Sequence, residues 1–173
     1  MGQAGDVYEM ADGARYVLRT PTASTDGEYV EFEWQFPAGA FAPPPHRHPR
    51  QVEEYEVLEG EFDVLVGAEW RTLRTGESAS VPIGVNHTFA RPKAPVRIRN
   101  FHRPALGFEE FIERMCRVGE EKGLRGVRDP RLPIYLAMIW RDFPETLQET
   151  RHRERIGMTA AAGLGRLLRM RTA

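Results

Sequence analysis

The stretch Gly39-Ala-Phe-Ala-Pro-Pro-Pro-His46-Arg-His48-Pro-Arg-Gln-Val-Glu53-Glu-Tyr-Glu-Val-Leu-Glu-Gly60 decides how this chain is read. On an extended strand, residues two apart point the same way, so His46 and His48 present both imidazoles to one side. The interval from His48 to Glu53 is odd, which on an unbroken strand would send Glu53 to the other face. Pro49 and the polar residues after it signal a bend. Past that bend Glu53, Tyr55 and Val57 can all face inward, and Glu59-Gly60 marks a tight reversal.

A second passage, Gly76-Glu-Ser-Ala-Ser-Val-Pro82-Ile-Gly84-Val-Asn-His87-Thr-Phe-Ala-Arg91, supplies another histidine just after a Pro-x-Gly turn. The turn aims the strand, and His87, Phe89 and Arg91 share its face. Three imidazoles, from His46, His48 and His87, with the Glu53 carboxylate suit one first-row divalent ion: iron, manganese, zinc, nickel or copper. An octahedral ion on four protein ligands keeps two positions open.

Working outward, Val7 to about Arg103 reads as short strands of β-branched and aromatic residues broken by Gly and Pro. The clearest are Arg15 to Arg19, Glu28 to Phe36, Glu53 to Leu58, Phe62 to Val66, Ser78 to Val81, Thr88 to Arg91 and Val96 to His102. In the second of these Phe32, Trp34 and Phe36 share a packed face, and Glu31, Glu33 and Gln35 a wetter one. Strands this short and this many predict a sandwich or closed barrel. After Pro104 the period becomes helical. Phe108, Phe111, Ile112, Met115 and Val118 form one stripe, Leu132 to Trp140 a second piece, and His152 to Arg169 a third whose stripe is Ile156, Ala160, Leu164, Leu167 and Leu168. Those stripes need cover from the outside of the barrel or from a second subunit, so a homodimer is expected.

With 173 residues the chain holds one well-buried core plus an appendage, expected as a barrel over 1–105 and a helical extension over 106–173 of the same domain. Its 24 Lys+Arg and 25 Asp+Glu nearly cancel, so no global field favours nucleic acid or an anionic membrane. The basic run Arg151-His152-Arg153-Glu154-Arg155 reads as a solvated helix start. The start of the chain has no basic, apolar leader, and no run approaches the roughly 20 apolar residues of a membrane span. A cytoplasmic protein is expected. The single Cys116 cannot close an internal disulfide and reads as a flanking core position.

The two histidine passages closely resemble the paired signature of the cupin superfamily. That signature runs Gly, His-x-His, Glu three or four residues on and Gly six later, then Gly, five residues, Pro-x-Gly, two residues, His, three residues and Asn. Here the first Gly stands one residue farther from His46, and Arg91 replaces the final Asn. The resemblance implies a mainly β jelly-roll (double-stranded β-helix) barrel followed by α-helices, binding one metal through His46, His48, Glu53 and His87. It also implies dioxygenase, isomerase, decarboxylase or cyclase chemistry, without choosing among them.

On this reading a small, apolar or aromatic substrate meets Trp34, Tyr55, Phe62, Phe89, Arg91, Asn100 and His102, and Glu53 either stays a ligand or leaves the metal to act as base. Arg91 either anchors a substrate carboxylate or pairs with a protein acid; pairing is preferred, because a buried unpaired guanidinium is costly. The alternative is a non-catalytic cupin that binds a small ligand or senses a metal, its helical tail serving as a partner surface. A metal-free sugar-nucleotide epimerase of the related barrel class is disfavoured, since such a site needs no complete ligand set.

Overall fold

The computed structural model describes residues 2–124 and 128–172. The elements are β1 (Val7–Glu9), β2 (Arg15–Thr20), β3 (Val30–Phe36), β4 (His46–Arg47), β5 (Val52–Glu59), β6 (Glu61–Val66), β7 (Glu69–Arg74), β8 (Ser78–Val81), β9 (His87–Phe89), β10 (Val96–Arg103), α1 (Phe108–Glu121), α2 (Leu132–Asp142), β11 (Gln148–Glu149) and α3 (His152–Leu167). Two antiparallel sheets, ordered β1-β2-β3-β10-β5-β8 and β11-β4-β9-β6-β7, face each other as a jelly-roll barrel. All seven strands expected from the alternation are present. The others are short or exposed: β4 and β11 have two residues each, and β7, at a sheet edge, buries only Leu73.

Register decides what meets inside. Across β3, β10 and β5, Phe32 pairs with Asn100 and Asn100 with Tyr55, while His102 pairs with Glu53. Trp34 and Tyr55, with Phe36 and Phe89, fill the interior through ring contacts, with Phe62 behind them. Gly60 turns β5 into β6 at φ 88°, and a Cβ there would lie 2.9 Å from the Pro95 carbonyl oxygen. Only glycine fits that conformation without strain.

The outer face of β3 is less wet than its glutamates suggest. Glu33 is only 5 % exposed, because Arg19 (2.6 Å) and Arg97 (3.1 Å) from the flanking strands close over it. Burial alone would raise its pKa, but hydrogen bonds from Arg19, Gln35 and Arg97 bring it down to about 2.

The helices do not lie along the outside of the barrel. α1 and α2 roof its open end, and Phe108, Phe111, Ile112, Tyr135, Ile139 and Trp140 join the barrel's own core. Buried Glu109 ties α1 down by accepting from the amides of Gly2 and Thr22. For α3 the barrel is not the cover: Ile156, Leu164, Leu167 and Leu168 are exposed in the single chain, Leu167 by 79 %, and the helix packs through Ala162 and Gly165. A Cβ on Gly165 would stand 2.8 Å from Cγ2 of Ile134 on α2. Close approach of two helix backbones, rather than the apolar stripe, chose which face turned inward.

Candidate metal centre

Pro43 to Pro45 lead extended chain into β4, which carries His46; His48 follows immediately. The bend expected after His48 is present, and buried Gln51 pins it by donating from Nε2 to the carbonyls of Pro104 and Ala105, both at 2.8 Å. Beyond it Glu53, Tyr55 and Val57 all turn inward. The Pro82-to-Gly84 turn is held to the other passage by Gly84 N–H donating to the His48 carbonyl (2.8 Å), and His46 pairs in register with His87. Two segments distant in sequence are thereby locked edge to edge.

His46, His48, Glu53 and His87 are all buried, and one potential ligand atom from each lies within 4.8 Å of every other. Glu53 Oε2 stands 3.3 Å from His48 Nε2 and 2.8 Å from His87 Nε2. Yet these three atoms are buried without an aligned hydrogen bond. They converge on a point instead of pairing.

The opposite ring edges are all engaged: Nδ1–H donates to a main-chain carbonyl in His46 (Pro44, 3.0 Å), His48 (Thr146, 2.5 Å) and His87 (Val85, 3.0 Å). A carbonyl only accepts, so each Nδ1 carries a proton and, in the neutral ring, each Nε2 offers a lone pair. That is how metal-binding histidines are commonly oriented.

Burial, followed by the neighbouring His87 and His48, drives the His46 pKa well below the usual imidazole range. Burial would raise Glu53, but His102, His48 and His87 around it hold the carboxyl well below its usual range. Burial would lower His87, but the hydrogen bond and charge of Glu53 raise its pKa. A bound divalent cation would displace that proton and leave neutral imidazole beside an ionised carboxylate, the donor set it requires, so these residues fit the expected ion.

Glu53 has further support. Asn100 Nδ2 donates to Oε1 (2.8 Å), and His102 Nε2 lies 3.2 Å from the same oxygen. His102 is itself sandwiched, its ring stacked on Phe108 with centroids 3.4 Å apart. Burial lowers its pKa to about 4, although Glu53 works against that shift.

Above the centre lies a cavity of about 520 Å³, with His46, His48 and Glu53 in its wall. Of the residues expected around a substrate, Trp34, Tyr55, Phe89 and Arg91 line it. Phe62, Asn100 and His102 do not: Phe62 sits behind Tyr55 and Phe89, and the register that sets His102 against Glu53 places it and Asn100 behind that carboxylate. Arg91 is exposed at the rim, and among the described residues no carboxylate lies within the 4.0 Å of an ion pair, so the expected pairing with a protein acid is not made.

The other side of the wall comes from the helices, notably Phe111, Leu136 and Trp140. Sequence reasoning missed Gln51, Trp140 and Thr146 as parts of the site. The first two are ordinary core-type signals in the chain, and the third acts through its backbone, which no side-chain pattern reports.

Residues 32–99 match the family described as the cupin domain. Among solved structures, an RmlC-like cupin from Shewanella frigidimarina is 25% identical, with 61% of this chain and 88% of that one covered at a TM-score of 0.51. KdgF from Halomonas sp. (21% identical, 57% and 87% covered, TM-score 0.50) shares the fold, as does a predicted oxalate decarboxylase from Thermotoga maritima (12%, 57% and 90%, 0.50). No curated protein matches the chain. With both histidine passages inside the matched segment, a jelly-roll barrel around them and barrel neighbours of the same kind, this chain carries a cupin domain over residues 32–99.

Proposed function

We propose that this cupin is a metal-dependent enzyme acting on a small, largely apolar organic molecule held between the barrel and its helical roof. The observation that carries the reading is the convergence of two buried, unpaired imidazole Nε2 atoms and the Glu53 Oε2 atom beneath a cavity of substrate size. His46, His48, Glu53 and His87 would hold the ion, which when bound polarises a substrate oxygen or, as iron, brings dioxygen chemistry.

The chain's own residues supply the rest. Asn100 fixes Oε1 of Glu53, leaving Oε2 to bind the ion or, on release, to take a proton from substrate. Phe111, Leu136 and Trp140 shield the centre from water on the helical side.

Elemental analysis of protein purified without added metal should find near one transition-metal ion per chain. His48→Ala and His87→Ala should lose it while keeping the wild-type circular dichroism spectrum. Oxygen uptake and product formation across a panel of aromatic and aliphatic metabolites then test catalysis. Absence of metal even after reconstitution refutes the centre, and metal with tight ligand binding but no turnover refutes the enzyme.

A further inference from the structure

We propose that the cavity selects an apolar molecule bearing a carboxylate at one end and a carbonyl or hydroxyl oxygen at the other, that is, an oxo- or hydroxycarboxylic acid. This rests on the reading of the cavity as a ligand site over the metal centre, and it follows from which side-chain polar atoms in the wall are already engaged.

Most side-chain acceptors of the wall are engaged: Asp12 receives the amides of Ala14 (3.0 Å) and Phe41 (2.6 Å) on its two oxygens, Glu53 Oε1 receives Asn100, and Glu53 Oε2 turns to the His48 and His87 Nε2 atoms. The donors are not. Trp34 and Trp140 both line the cavity, both are 5 % exposed, and neither indole N–H has a partner. Buried donors are ordinarily satisfied, and these two belong to residues of one cavity wall, where an acceptor oxygen of a bound molecule would satisfy them.

Arg91 adds an uncompensated guanidinium at the rim. Its fork matches a carboxylate bidentately, and Asp12, which also lines the cavity, is held by its two amides.

These donors sit apart. Arg91 lies two residues beyond Phe89 at the edge of the barrel, whereas the Trp140 ring is 5.3 Å from the His46 ring, at the metal end. Apolar surface from Phe89, Trp34 and Phe111 lies along the cavity wall with them. A ligand complementary to this wall carries negative charge outward, a ring or branched chain in the middle and an acceptor oxygen inward. An ammonium group finds a cation at the rim and donors within, and is rejected.

The test uses the metal-loaded protein and four probes, benzoylpropanoate, benzoylpropanamide, phenylbutanoate and phenylbutylamine, with affinities from calorimetry. Benzoylpropanoate should bind about tenfold or more tighter than the amide, and phenylbutylamine should give no heat. Arg91→Met should remove that tenfold for the acid and leave the amide unchanged. Trp140→Phe should weaken benzoylpropanoate severalfold while sparing phenylbutanoate, which lacks the inner oxygen. Repeating the acid and amide titrations on chelator-treated wild type separates the two readings: Arg91 is no metal ligand, so the charge preference persists without metal. Equal affinity of acid and amide, an unchanged Arg91→Met protein, or no binding of the acid overturns the proposal, whatever the metal content proves to be.

Discussion

The Nδ1–H of His48 donates to the main-chain carbonyl of Thr146 at 2.5 Å, joining a ligand of the barrel to the loop behind α2 across 98 positions of sequence. Beside this contact β11 pairs with β4, Gln148 opposite Arg47 and Glu149 opposite His46. Trp140 packs edge-on against the His46 ring. The helical tail therefore supports the His/Glu cluster that could hold a metal, as well as roofing it.

Metal binding and the tail are accordingly expected to be coupled in both directions. Adding metal to chelator-treated protein should slow amide exchange over residues 143–150. Gln148→Pro, which removes a strand N–H from β11, should lower metal affinity by about tenfold, within the range seen when outer support of a ligand is lost. Exchange in that segment indifferent to metal, with affinity unchanged in the variant, would show the tail to be a passive cover.

Asn100 is expected to tune the centre without touching substrate. Asn100→Ala removes the hydrogen bond to Glu53 Oε1, so competition against a chromophoric chelator should report metal affinity about 10- to 100-fold lower. Asn100→Asp should be worse, because a second carboxylate faces the first. Thermal unfolding of the metal-free proteins separates this from a folding defect.

Acid should destabilise the metal-free protein before its carboxylates titrate. His102 takes up a proton near pH 6.5 when unfolded and near 4 when folded. Between those values the unfolded chain binds more protons, so stability falls as the pH drops, by about 3 kcal/mol from this group. His46, lowered by burial, adds to the same loss, and Glu53 adds its own once the pH passes below about 4.5. His87 is raised instead, so its contribution grows as the pH falls toward 6.5 and is constant below that. Urea midpoints measured from pH 7 to pH 4.5 should show the slope, and His102→Phe, which keeps a ring on Phe108, should flatten it. Equal slopes in the two proteins would remove His102 from the account.

The seating of α3 is predicted to depend on Gly165. Gly165→Val places new atoms against Ile134 and should cost about 1–3 kcal/mol, read as a lower urea midpoint. Leu167→Ala, on the exposed stripe, should stay within about 0.5 kcal/mol. If the stripe proved costlier to alter than Gly165, the helix would be seated differently from the arrangement described.

The sequence by itself determined the four residues of the candidate metal centre and the barrel that holds them. Alternation by two sets His46 beside His48, Pro49 and the polar residues after it announce the bend that turns Glu53 inward, and Pro82-to-Gly84 aims His87; each is a local consequence of backbone chemistry, readable without knowing what lies across the core. Tertiary structure alone decided the remainder. Asn100 and His102 were legible as inward-facing, but only the β5–β10 register shows that they stand behind Glu53 instead of in the cavity. Arg91 was legible as the departure from the cupin pattern, and only the fold shows it without a protein acid. The helical stripes predicted helices without saying what they cover: α1 and α2 turn theirs to the mouth of the barrel, while α3 leaves its stripe uncovered within the chain and packs on α2 through Gly165. The Thr146 carbonyl could not be foreseen at all, since every residue carries that group and only the path of the chain brings one particular copy to His48.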